Sequence, residues 1–182
     1  MQLLEAGNKL LNNVPTTFIR FIFNRIDWED RLIEITGARG VGKTTLMLQK
    51  AKLLNESKPG SAVYASLDHP HFFKNTLIDF VDFLTKEGVE TLFLDEVHKY
   101  SRWRQVVKGL FDKRKSELQI LLTGSSRLDH YRRGWDSLQG RYHFYRLIPL
   151  SCAELDAGYI STVKDLLVYG GFPEPFLKAE EK

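Results

Sequence analysis

The chain of 182 residues predicts a three-layer α/β fold, a parallel sheet with helices on both faces. Three observations carry that expectation. Short apolar runs are separated by helical segments of about 10 to 15 residues, the spacing of strand–helix–strand units. Runs such as Leu92-Phe93-Leu94 and Ile120-Leu121-Leu122 do not alternate with polar residues, as expected of strands covered on both sides. Residues 37 to 44 form a glycine-rich turn between a strand-like and a helix-like stretch.

The elements follow in order. Gly7 to Asn13 is helical and polar-rich, and Val14-Pro15-Thr16 ends that segment. Phe18-Ile19-Arg20-Phe21-Ile22-Phe23 is apolar with basic interruptions, either a helix or a lead-in to the core. A strand over 31–36 feeds a helix over 43–55, which stops near Pro59-Gly60. A second strand over 62–67 is bounded by Asp68-His69-Pro70. Phe72, Phe73, Leu77, Phe80, Val81 and Leu84 have helical spacing up to Gly88, and the aromatics Phe72, Phe73, Phe80 and Phe83 are expected in the core. A strand over 91–94, a helix over 101–115 and strands over 118–122 and 142–148 complete the pattern. The chain therefore divides into a helical lead-in (1–30), a core (31–150) and the opening of a C-terminal helical segment (151–182).

Bulk properties narrow the function classes. A formal net charge of +3 is too small to argue for nucleic acid by itself. Cys152 is the only cysteine, which excludes an intramolecular disulfide and favours a reducing, cytoplasmic setting. The first residues lack the basic and apolar regions of a secretion signal. No apolar run is long enough to cross a bilayer, so no membrane partner is expected. The five histidines show no zinc-ligand spacing, and no Gly-x-Ser-x-Gly elbow supports a serine hydrolase.

The chemistry is concentrated in two strings. Gly37-Ala38-Arg39-Gly40-Val41-Gly42-Lys43-Thr44 is a complete G-x-x-x-x-G-K-[ST] loop, followed by Thr45 and a helical run. Glycines bend such a loop so that backbone N–H groups point inward, and the helix N-terminus adds its positive dipole end. Lys43 is expected to reach the β- and γ-phosphates of a nucleotide, and the Thr44 hydroxyl to hold Mg²⁺. Thr91-Leu92-Phe93-Leu94-Asp95-Glu96 then ends an apolar strand on two carboxylates. Asp95 fits the Walker B aspartate that holds Mg²⁺ through its water shell, and Glu96 the residue that orients an attacking water.

Two further candidates are weaker in kind. Leu122-Thr123-Gly124-Ser125-Ser126 ends a third strand, where Ser125, and after it Ser126, can sense the γ-phosphate; Thr123 is read as packing. Arg141 precedes the last strand and can stabilise transition-state charge, in cis or from a neighbouring subunit.

These stretches resemble the AAA+-like P-loop ATPases of bacteria and archaea, near the origin-recognition and STAND-type groups. Thr36 to Leu46, Leu94 to Lys99 and Leu122 to Ser126 match, as do Ser137-Leu138-Gln139-Gly140-Arg141, Pro149-Leu150-Ser151 and Tyr169-Gly170-Gly171-Phe172-Pro173-Glu174. The resemblance implies a sheet of order 5-1-4-3-2, ATP as nucleotide and Mg²⁺ as metal. It also implies a continuation into a helical or winged segment and a nuclease-like domain. Pro175-Phe176-Leu177-Lys178-Ala179-Glu180 reads as the opening of a further helix, so a truncated ATPase core is expected.

An ATP hydrolase that converts nucleotide state into conformational change is the leading function. The alternative is a nucleotide-dependent switch or nucleic-acid-binding module with little hydrolysis. A small-molecule kinase fits poorly, since a water-orienting Glu96 would waste ATP, and no Asn-Lys-x-Asp motif reads guanine. Nucleic acid enters as a candidate partner through Lys99, Arg102, Arg104, Lys108, Lys113, Arg114 and Lys115, and through Arg127, Tyr131, Arg132, Arg133 and Trp135. Trp103, Val106, Val107, Leu110 and Phe111 form an apolar stripe that equally makes the first of these sets a solvated helix face. A homo-oligomer and an unidentified protein partner complete the candidates.

Overall fold

The computed structural model describes residues 2–114, 117–125, 142–155 and 163–179. Five parallel strands form one sheet: β1 (Leu32–Gly37), β2 (Ala62–Ser66), β3 (Thr91–Asp95), β4 (Gln119–Ser125) and β5 (His143–Leu147). Their lateral order is β2-β3-β4-β1-β5, the expected 5-1-4-3-2 seen from the other edge. β4 therefore lies between β1 and β3, and the carboxyl ends of all three open into the same crevice, where such sheets bind ligands.

Side-chain alternation builds two cores. Ile33, Ile35, Phe93 and Leu121 face α2 (Lys43–Ser57), which meets them with Leu46, Met47 and Ala51. Leu32, Leu92, Leu94, Ile120 and Leu122 face the opposite side, under α3 (Leu77–Lys86) and α4 (Trp103–Lys113). Both faces of the central strands are thus apolar, which accounts for the unbroken runs in the sequence. The α4 stripe of Trp103, Val107 and Leu110 is buried, with Val106 and Phe111 packed beside it.

α1 (Gln2–Asn13) lies along the edge strand β2, burying Leu3, Gly7 and Leu11 at successive helical turns. A Cβ on Gly7 would stand 2.5 Å from the Tyr64 carbonyl oxygen, so glycine is what lets this helix close on the strand. At the other end, α5 (Cys152–Leu155), α6 (Val163–Tyr169) and α7 (Pro173–Ala179) follow β5. Leu150, Leu155 and Phe176 form a third small core there, with Phe18 of the lead-in packed against it.

The structure corrects the sequence expectation in two places and decides between alternatives in a third. The segment from Phe72 to Leu84 is not one helix: a 3-10 turn, Pro70–Phe73, precedes α3, whose own N-cap is Thr76, its hydroxyl accepting from the Asp79 amide. As a result Phe72 and Phe80 are buried, whereas Phe73 is 78 % exposed and Phe83 is 40 % exposed. Of the two readings of Phe18 to Phe23, the structure has the lead-in rather than a helix, with only a short 3-10 turn at Phe21–Arg25. β4 runs on to Ser125, which carries Thr123 into the crevice.

Candidate functional site

The loop after β1 is shaped by glycines that nothing else could replace. At Gly37 a Cβ would come within 2.4 Å of the Leu147 carbonyl oxygen on β5. Gly42 adopts a left-handed conformation (φ 97°) at the N-cap of α2, so the helix starts at Lys43 directly after the bend. Its first-turn N–H groups have no partners within the helix and face the loop's concavity. Lys43 is buried, and its Nζ donates to the carbonyl oxygens of Gly37 and Ala38, each at 2.9 Å. Burial holds the Lys43 pKa below the ordinary lysine value, and the nearby Glu96 and Asp95 carboxylates offset part of that effect.

Asp95 ends β3 as the most tightly held polar group of the site. The Tyr64–Phe93 register places Asp95 two residues further along the same face, and the β3–β4 register sets Thr123 beside it. Oδ2 accepts from the Thr44 hydroxyl at 2.6 Å and from the Tyr64 hydroxyl at 2.8 Å. Oδ1 accepts from the Thr123 hydroxyl and from the Glu96 amide, the latter at 2.9 Å. Two donors thus reach each of its oxygens, which fixes the orientation of the carboxylate. Burial and the Asp95 carboxylate push the Tyr64 phenol far above its ordinary pKa, so it remains a donor.

Glu96, the next residue, is held quite differently. It has a left-handed backbone (φ 54°, ψ 40°), uncommon for a side chain with Cβ, and turns the chain into a 3-10 segment, Val97–Lys99. Its side chain is 36 % exposed, and Oε2 lies 3.4 Å from His98 Nε2. One carboxylate is fixed and buried; its neighbour faces an open space.

That space is a cavity of about 740 Å³. Arg39, Gly40, Gly42, Lys43, Thr44, Thr45 and Glu96 line it from the loop side. Pro15, Thr17, Phe18 and Arg20 of the lead-in, Gln49 of α2, and Pro173, Glu174 and Leu177 of α7 enclose it. The enclosing wall is fastened to the loop by buried polar contacts. Arg20 donates to the Val41 carbonyl at 2.7 Å and the Ile148 carbonyl at 2.7 Å, and pairs with Glu154 at 2.6 and 3.1 Å. Gln49 donates to the carbonyls of Pro15 and Phe18, each at 2.8 Å.

Of the residues read from the sequence, Gly37 to Thr45, Asp95 and Glu96 are brought together. Ser125 ends β4 opposite Gly37, but its side chain lies outside the described residues, as do Ser126 and Arg141. Thr123, read as packing, is instead a donor to Asp95, because the β3–β4 register sets it level with that carboxylate. Tyr64, Arg20, Gln49 and Glu154 went unread. In the basic run, Lys99 pairs with Asp68, Lys113 and Arg114 pair with Asp82, and Arg104 stacks on Trp103. These contacts fit a solvated helix face better than a phosphate-binding one. Lys115 and the 127–135 stretch lie outside the described residues.

The donor set fits a magnesium ion. Thr44 spends its hydroxyl proton on Asp95, which leaves the oxygen's lone pairs available to a cation. Hard oxygen donors suit Mg²⁺, which normally takes few protein ligands and completes its shell with water and phosphate. No cluster of three or more His, Cys, Asp or Glu suited to a metal occurs among the described residues. No described helix is long and apolar enough to cross a membrane.

A parallel sheet with a glycine-bent phosphate loop on β1 and a carboxylate facing it from β3 defines a P-loop nucleotide-binding protein of ATPase type. Residues 29–156 match the model of the AAA domain family, and the chain belongs to that family, as an AAA+ P-loop core. The fold is similar to AMPPCP-bound DnaA from Aquifex aeolicus (TM-score 0.58, 18 % identity), covering 97 % of this chain and 58 % of that one. It is also similar to the Hsp104–ADP complex of S. cerevisiae (TM-score 0.56, 13 % identity), covering 94 % of this chain and 29 % of that one. The chain thus spans little more than half of the first of these proteins. Comparison with curated protein sequences gave no match.

Proposed function

We propose that this protein binds ATP with Mg²⁺ and hydrolyses it to ADP and phosphate, coupling the reaction to movement of the wall around the cavity. The observation that carries the reading is that Lys43, Thr44 and Glu96 line one cavity, while the buried Asp95, 51 residues on from Thr44, accepts that residue's hydroxyl. In this reading the loop amides and Lys43 hold the β- and γ-phosphates, and Lys43 exchanges its carbonyl partners Gly37 and Ala38 for phosphate oxygens. Thr44 would ligate Mg²⁺ and Asp95 would hold it through its water shell, and the ion would neutralise charge between those phosphates. Glu96, half exposed and aimed into the cavity mouth, takes the proton of the attacking water. Pro15, Phe18, Pro173 and Leu177 supply apolar surface for the base, as expected of a small-molecule cleft. The fold likeness to an AMPPCP-bound protein supports a triphosphate ligand. A cytoplasmic location, where ATP is abundant, follows from the same reading.

The coupling rests on Arg20. It grips the loop through Val41 and, with the same guanidinium, Glu154 and Ile148 beyond β5. Displacement of the loop by phosphates therefore pulls on segments that enclose the base.

Glu96→Gln tests the reading. The variant is expected to bind ATP with wild-type affinity by calorimetry and to lose phosphate release by at least about 100-fold, the scale of a general base. Hydrolysis at the wild-type rate removes Glu96 from the mechanism.

A further inference from the structure

We infer that Tyr64 is a positioning residue for the metal-holding carboxylate: a hydroxyl from the edge strand β2 that fixes how Asp95 presents Oδ2 to a nucleotide-bound divalent cation. The inference rests on the ATP and Mg²⁺ reading above. Tyr64 is 4 % exposed, and its hydroxyl donates to Asp95 Oδ2 at 2.8 Å. The reach is diagonal: Tyr64 is level with Phe93, and Asp95 lies two residues on, a span an aromatic side chain covers. Among the described residues no side chain of β2 lines the cavity, so Tyr64 does not touch the nucleotide site directly.

The two oxygens of Asp95 are secured differently. Oδ1 is held by Thr123 and by the Glu96 amide, neither of which the reading assigns to the cation. Oδ2 is held by Thr44 and Tyr64. Thr44 is itself a cation ligand in this reading, so its geometry changes when the cation arrives. Tyr64 is then the donor on Oδ2 that belongs to the protein scaffold in either state. A phenylalanine would fill the same volume, so packing alone does not call for the hydroxyl. α1 supports the ring and strand from behind, through the close approach of Gly7 to the Tyr64 carbonyl.

The test uses Mn²⁺ as probe and ADP as nucleotide, with free Mn²⁺ counted by electron paramagnetic resonance. ADP affinity in EDTA is measured in parallel. Tyr64→Phe is expected to leave the EDTA affinity unchanged and to weaken Mn²⁺ binding to the nucleotide complex about five- to tenfold, the size of one net hydrogen bond. In an Asp95→Ala background the same substitution is expected to have no further effect, since the acceptor it positions is gone. Wild-type Mn²⁺ affinity in Tyr64→Phe overturns the inference and leaves the ATP reading intact. An equal loss in both backgrounds also overturns it, because it marks a packing effect. Failure of Mn²⁺ to tighten ADP binding in the wild type overturns the metal reading and this inference with it.

Discussion

The two walls of the cavity are built by opposite means. The phosphate wall comes almost wholly from one run of the chain, Arg39, Gly40 and Gly42 to Thr45, with Glu96 beside it. The enclosing wall is assembled from both ends, and its clasp, Arg20 with Glu154, joins positions 134 residues apart. Local strings can be rigid by backbone geometry alone, as the left-handed Gly42 and the clash-limited Gly37 are. A wall gathered over long distance needs buried polar contacts to fix its place. Such contacts are costly to break, because each leaves a desolvated partner behind.

Arg20→Met sharpens this contrast most. With Glu154 left buried and unpaired, stability is expected to fall by about 3–5 kcal/mol in urea denaturation, while the double substitution with Glu154→Leu recovers most of the loss. Removing Lys43 is expected to act the other way. Lys43→Ala lowers ATP affinity at least about 100-fold, or about 2.8 kcal/mol, by calorimetry, and shifts the melting temperature of nucleotide-free protein by only a few degrees. If Arg20→Met left stability untouched, the clasp would not be holding the enclosing wall.

Smaller effects are expected away from both walls. Gly7→Val places a Cβ against the Tyr64 carbonyl, a backbone atom that cannot rotate aside, and should cost about 1–3 kcal/mol in denaturation experiments. The least effect belongs to Asp82 on α3. A hydrogen bond from Arg114 holds the Asp82 pKa below its ordinary 3.8, partly opposed by burial and aided by Lys113. A carboxylate with a depressed folded-state pKa contributes stability above 3.8 that is lost as pH falls through the lower folded value. Asp82→Asn should therefore flatten the acid limb of the stability curve below about pH 4 and leave ATP affinity unchanged.

How much of this was legible depends on the distance over which each contact is set. The parallel sheet is legible because buried parallel strands leave unbroken apolar runs and the phosphate loop marks β1, whereas its strand order comes only with the family resemblance. Asp95 and Glu96 could be read because they end a strand. Tyr64 could not: a parallel crossover, unlike a hairpin turn, leaves no mark of register, and only the register of β2 on β3 brings the phenol to Asp95. Thr123 escapes the sequence for the same reason: only the register of β4 on β3 brings its hydroxyl to Asp95. Arg20 looked like a basic interruption in an apolar stretch, since its partners Val41, Ile148 and Glu154 are supplied by three separate segments. Phe73 and Phe83 were expected inside because hydrophobicity alone does not reveal that Thr76 starts a new helix and turns them outward.

The central claim is that this cavity holds a triphosphate and its magnesium. A crystal structure with a non-hydrolysable ATP analogue and Mg²⁺ tests it directly. The account predicts the β- and γ-phosphates against the 40–44 turn and Lys43, with the metal between Thr44 and Asp95. An analogue bound elsewhere, or a cavity left without it at saturating concentration, would contradict the account.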